Sequence, residues 1–294
     1  MQFALQNAVD AISLGSLYAL FALGIALIFG IMQLVNFAHG ELIMVGGYAL
    51  FFLGHPPWPL LIAGVLAIVI AFALVMERVA FRPVRGANPA TLLVTSFAVS
   101  FFLQNLAILI FSSRPKAVAL SPIFTEFFAV GGLRIAKLNV LIVLVTILLL
   151  TGLAAFLKKT PLGVQMRAAA EDFGMARLLG VRANTVIATA FAISGLLAGA
   201  AALLLEAQTA TLTPTMGLNP VIIAFVATVI GGMASLPGAV LGGFTLGCLT
   251  VALQASLPLE FRAYRDAFAF GAVIAILVFR PQGLIVARTA RTRV

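Results

Sequence analysis

A chain of 294 residues that is 63% hydrophobic and only 9% charged is too apolar to cover its own surface in water, because soluble domains are nearer half apolar and a quarter charged. The 18 Lys and Arg outnumber the 9 Asp and Glu, but no basic stretch is interleaved with a stacking surface, so the net charge of +9 does not point to nucleic acid. The single cysteine, Cys248, excludes a disulfide framework or a thiolate metal site within the chain.

The first ten residues carry no Lys or Arg and so lack the basic region of a cleaved signal peptide. Apolar runs then cover 11–30, 36–53, 60–76, 91–111, 138–157, 186–205, 221–229, 237–257 and 266–279. About 20 apolar residues in a helix cross the ~30 Å hydrocarbon layer, so these runs predict eight or nine spans. Backbone amides in hydrocarbon must pair internally, and a run such as 141–150 shows no period of two. Helices are therefore expected, not barrel strands. The predicted fold is all-α, a polytopic transmembrane bundle forming one domain over 1–294. The second run, with Asn36, His39 and Glu41 in its first turns, and the short run 221–229 are candidates for broken or half-helices. Trp58 beside Pro56 and Pro57 marks a helix start at the membrane interface.

Charge orients the chain. Segments 77–89, 158–184 and 280–294 hold three, five and four Lys or Arg, twelve of the 18. With nine spans these segments share one side, which predicts a cytoplasmic C-terminus and an outer N-terminus. Arg78, Arg82 and Arg85 are expected as anchors near lipid headgroups. Glycines at four-residue spacing, Gly195 with Gly199 and Gly238 with Gly242, allow close helix approach. Residues 30–40 and 231–238 are both Gly-x-Met turns leading into a Gly-rich helix, as two related halves or chance would produce.

Two segments can carry function. Asn36, His39 and Glu41 place polar groups where they are expensive in a bilayer, so they face a protein interior or a water-filled path. Asn36 could equally cap the second helix. His39 and Glu41 alone cannot complete a metal shell, and no metal site is expected. The polar segment 158–184 contains a stretch, 166–179, of high helix propensity, with Ala168, Asp172, Met175 and Leu179 on one side and Gly180 as its stop. It is either a docking knob for a partner's groove or an ordinary solvated loop. Glu206 ends the sixth run, in a capping or mouth position. With His39 and His55 the only histidines, with no phosphate-binding G-x-x-x-x-G-K-[ST] loop and with no nucleophile–base pair, neither an enzyme nor a cofactor is expected.

Five motifs in order carry a resemblance over nearly the whole chain. They are the NFAHGEL run from Asn36, the ERVAFRPVR run from Glu77, the loop motif from Thr160 to Val181, the GGMASLPGA run from Gly231, and the RPQGL run from Arg280. Together they resemble the permease subunits of branched-chain amino-acid ABC importers, of the LivH type. The resemblance implies a second, LivM-type permease subunit, two cytoplasmic ABC ATPase subunits and a periplasmic substrate-binding protein, in the bacterial inner membrane. It implies that Arg167, Ala169, Glu171, Asp172, Ala176, Leu179 and Gly180 couple to the ATPase, with hydrolysis performed by that partner. Asn36, His39, Glu41 and Thr211 then line the substrate path, and Gly231, Gly232, Pro237 and Gly238 serve as hinge or close-contact residues. Residues 204–214 depart from the family's Gly-rich turn; relatives move urea, short amides or aromatic amino acids. An ion-coupled secondary transporter would use Glu41, and a channel would use half-helices around Asn36.

Overall fold

The computed structural model describes residues 2–54, 56–118, 126–130, 133–233, 235–280 and 283–285. Eleven α-helices occur among them: α1 (Gln2–Met32), α2 (His39–Leu53), α3 (Trp58–Met76), α4 (Pro89–Phe111), α5 (Lys137–Lys159), α6 (Pro161–Glu171), α7 (Phe173–Leu178), α8 (Ala183–Thr209), α9 (Leu218–Gly231), α10 (Leu236–Ser256) and α11 (Arg265–Phe279). Each of the nine apolar runs has become a helix. Six are long and apolar enough to cross a membrane, and α2 and α9, of 15 and 14 residues, are shorter apolar helices. Apolar side chains of α3, α4 and α5 are largely exposed, as lipid-facing helices require, whereas α1 and α8 are mostly enclosed by protein.

The stretch between α4 and α5 contributes short ribbons. Strand β1 (Lys116–Ala117) pairs antiparallel with β4 (Thr211–Leu212), and β2 (Phe127–Val130) with β3 (Leu133–Ala136). The third span also runs past its expected end at Glu77, through a π-helical turn, Glu77–Phe81. The extra residue per turn of a π-bulge re-aims side chains. Here Glu77 is 5% exposed and ion-pairs with Arg85, which also donates to Asn184 Oδ1 at 2.6 Å. Arg85 is thus tied to protein groups rather than left to the headgroups. His55, Ala234 and the basic segment beyond residue 285 lie outside the described residues.

The chain divides into two compact units, with three of the four divisions falling inside α1, α5 and α9. One contains residues 1–23, 120–150 and 223–294. There α1 and α10 approach backbone to backbone: a Cβ on Gly15 would come 2.9 Å from the Phe244 ring, and one on Gly247 would strike Gly15 itself. Gly243 and Gly247, four apart, permit this contact. Asp10 and Ser13 of α1 are bonded to Asn139 at the start of α5, at 3.1 and 3.2 Å.

In the same unit the expected hinge residues come together. Ser235 caps α10 by accepting from Gly238 N–H at 3.1 Å, and Pro237 lies in its first turn. Gly231 and Gly238 face each other so closely that a Cβ on either would hit the other's carbonyl. Gly232 has φ +103°, a left-handed conformation glycine adopts freely. The end of α9 is closed by the chain beyond α11, where Leu284 N–H donates to Ile230 O at 2.7 Å and Ile285 N–H to Gly231 O at 3.2 Å.

The second unit contains residues 24–119 and 151–222. Its centre is α2, enclosed by α3, α4 and α8, with buried residues on every face. Gly195 and Gly199 of α8 do form a contact stripe, against Ile70, Ala73, Leu66 and Val69 of α3. Gly46 performs the same service for α2 against Ala202 of α8.

Candidate functional site: a buried polar band and an exposed two-helix knob

The second unit holds a band of polar side chains at the level where α4 and α8 reach their midpoints. His39, the first residue of α2, is 1% exposed, and its Nδ1 lies 3.0 Å from Ser194 Oγ. That hydroxyl also donates to Gly24 O at 3.2 Å. One hydroxyl proton cannot serve both, so when it goes to Gly24 the His39 Nδ1 is the donor to Ser194. The imidazole fits only because residue 24 is glycine; any Cβ there would overlap the ring. Glu41, 0% exposed, accepts through Oε1 from Ser100 Oγ at 2.8 Å and Gln104 Nε2 at 2.7 Å, while Oε2 has no partner.

Asn36 is fully buried, yet it does not cap α2. Its Oδ1 accepts from Ala38 N–H at 3.1 Å, closing a turn two residues ahead of the helix, and its Nδ2 has no partner. The N-cap position itself is Ala38, without a side-chain bond. Thr211 is not part of this band. It is exposed, on β4, opposite Ala117.

Between α8 and α9 the backbone leaves the helical state. Residues 210–217 run along α2 from Gly47, which faces Leu212 and Met216, to Gly40, which faces Gly217. Gly40 and Gly217 meet with no room for a side chain on either. The starts of α2 and α9 therefore converge beside His39 and Glu41. Non-helical backbone at membrane depth is tolerated where protein buries it or where it borders an aqueous path. Broken helices meeting near the midplane are the common way transporters build a substrate site.

Segment 158–184 folds as two helices, not the single one expected from its propensity. Thr160 caps α6, accepting from Gly163 N–H at 3.0 Å, and Asp172 caps α7, accepting from Met175 N–H at 2.9 Å. Asp172, at φ −149°, is the corner between them, so it cannot share a helix face with Ala168 and Leu179. Gly180, at φ +89°, ends the knob, as its sequence position suggested. Of the residues expected to couple, Ala169 and Ala176 are buried and hold the helices down, while Arg167, Glu171, Asp172, Leu179 and Gly180 are exposed. Leu178 and Leu179 are 83% and 79% exposed, an apolar tip unlike an ordinary solvated loop.

A residue passed over in the sequence stands out by its surroundings. Glu206 lies in the last turn of α8, 0% exposed, and neither carboxylate oxygen has a hydrogen-bond partner. It caps nothing with its side chain. A glutamate three residues from a helix end looks ordinary; only the packed structure reveals the burial.

Residues 7–277 match the protein family described as "Branched-chain amino acid transport system / permease component". The chain is 39% identical to the high-affinity branched-chain amino acid transport system permease protein BraD of Pseudomonas aeruginosa, covering 96% of this chain and 95% of that protein. It is 36% identical to the corresponding permease protein LivH of Escherichia coli K12, covering 96% of each. The LivM permease protein of the same organism is 26% identical over 95% of this chain and 70% of its own length. The chain is a multi-pass helical membrane protein and belongs to the family of branched-chain amino acid transport permease components.

Proposed function

We propose that this chain is one permease subunit of an ATP-driven importer of branched-chain amino acids, supplying half of the translocation path and performing no chemistry itself. The observation that carries the reading is the polar band of His39, Glu41, Ser100, Gln104 and Ser194 beside the convergence of two short helices. Buried polar groups at membrane depth usually face a water-filled path, so such a band beside broken helices supports a path for a polar solute. Asn36, His39 and Glu41 line it, and Thr211 stands at its outer end. Gly231, Gly232, Pro237 and Gly238 form the close-contact turn on which helices reorient.

The knob 158–184 is the cytoplasmic coupling element of this single permease domain. Its exposed tip docks in a groove of an ATPase subunit, which binds and hydrolyses ATP. The naming of relatives as both LivH and LivM supports pairing with a second, related permease subunit, and a periplasmic binding protein delivers the substrate. The protein resides in the bacterial inner membrane with its C-terminus cytoplasmic, as the charge distribution favours.

The reading is tested by leucine uptake into proteoliposomes containing the chain with its second permease, ATPases and binding protein. E171A and G180V are expected to abolish ATP-driven uptake while leaving membrane insertion at the wild-type level. Undiminished uptake in both variants would sink the coupling role.

A further inference from the structure

Around Gly47 of α2 lie Glu206 and Met216, and the Glu206 carboxylate is unsatisfied. A Cβ at Gly47 would sit 3.3 Å from Glu206 Oε1 and 3.3 Å from Met216 Sδ. The next residue, Tyr48, is 4% exposed, its hydroxyl also has no partner, and it lies within the electrostatic reach of Glu206. A buried polar group without a partner is costly whether the carboxyl is ionised or neutral. The two Glu206 oxygens and the Tyr48 hydroxyl are thus three buried polar atoms that the fold leaves unbonded.

The chain's own cations do not fill it. Lys116, on the ribbon that pairs with β4, is held over the Phe51 and Phe111 rings at 4.9 and 6.0 Å, and forms no ion pair with Glu206 among the described residues. A second permease subunit cannot fill it either, because Glu206 is buried by this chain alone. Residues 210–217 pass beside it, with Leu212 and Met216 against Gly47, and Leu212 belongs to the two-residue β1–β4 ribbon. That segment starts at Ala210, a non-glycine residue in the left-handed region at φ 49°. There it ends α8, its N–H donating to Glu206 O at 2.8 Å.

We infer that Glu206, with the Tyr48 hydroxyl, receives the α-ammonium group of an amino acid when residues 210–217 move aside, and so selects amino acids over their uncharged or des-amino analogues. This rests on the importer reading above. An ammonium has three donors; two carboxylate oxygens and one phenolic oxygen are three acceptors. Leu212 and Met216 supply the apolar wall an aliphatic side chain requires. A site whose buried polar groups await an N–H rejects an analogue lacking it more strongly than apolar contacts reject a missing methylene.

The test uses the reconstituted complex with binding protein saturated by radiolabelled leucine. E206Q is expected to lower the uptake rate at least tenfold, E206D to retain much of it, and Y48F to lower it about threefold, all at wild-type levels of reconstituted protein. In parallel, leucine should raise the melting temperature of the detergent-solubilised wild-type complex without binding protein. The des-amino analogue 4-methylpentanoate should not, and E206Q should lose the leucine shift. Glutamine reproduces a neutral carboxyl, so wild-type uptake by E206Q overturns the assignment, as does equal loss in E206Q and E206D. Absence of leucine uptake by the wild type overturns the importer reading and this assignment with it, whereas wild-type uptake matched by E206Q overturns this assignment alone.

Discussion

Glu41 and Glu206 are both fully buried, the first on α2 and the second packed against it, yet their surroundings are opposite. Glu41 has one oxygen bonded by Ser100 and Gln104 of α4. Glu206 has neither oxygen bonded. Burial alone therefore does not tell a carboxyl held by protein donors from one left unbonded; the local supply of donors does. A donor-rich site fixes its carboxyl and joins two helices, while a donor-poor site leaves the carboxyl available at a continuing cost in stability.

The most damaging way to break this contrast is to displace α2, which carries Glu41 and packs on Glu206. A valine at Gly40 would drive its side chain into the Gly217 carbonyl and Val221, and backbone cannot yield as a side chain can. Overpacking of this kind is expected to cost about 3 kcal/mol or more. G40V should give little monodisperse protein by size-exclusion chromatography; a wild-type yield would mean that residues 210–217 are not held against α2.

A second pair of variants sharpens the contrast by the sign of its effect. E41A strips Ser100 and Gln104 of their shared acceptor and opens a void, a loss of about 2–4 kcal/mol. E206M removes two unpaired oxygens and keeps the volume, and should gain up to about 1–3 kcal/mol while abolishing uptake. Melting temperatures in detergent should move in opposite directions. Movement in the same direction would show that Glu206 is bonded in the folded protein.

The helices were legible because apolar runs are a local property: all nine appear, and α2 and α9, singled out for their short or polar character, are among the three short ones, with α11. The lead residues of the site were legible too, since Asn36, His39 and Glu41 are conspicuous in an apolar chain. Their partners were not. Ser100 and Gln104 lie 59 and 63 residues from Glu41, and serine or glutamine in a helix is unremarkable until packing selects it. The path of residues 210–217 was hidden for the same reason, because nothing within it specifies that it lies along α2. The break at Asp172 was readable in principle. An aspartate followed three residues later by a bonded N–H is an N-cap, but high propensity on both sides masked it.

The smallest expected effect comes from Ser194, which touches neither carboxylate. S194A removes the hydroxyl shared by Gly24 O and His39 Nδ1 and should cost about 1 kcal/mol, since Gly24 keeps its place in the helix ladder and only the imidazole loses its partner. Uptake should respond more than stability does. The ring is wedged over Gly24, and Ser194 alone selects which nitrogen carries the proton, so its loss frees the tautomer without freeing the ring. A fall in leucine uptake severalfold beyond the change in melting would place His39 on the substrate path together with Glu41. Equal, small changes in both would confine His39 to a structural role and leave the contrast between the two glutamates as the feature on which transport turns.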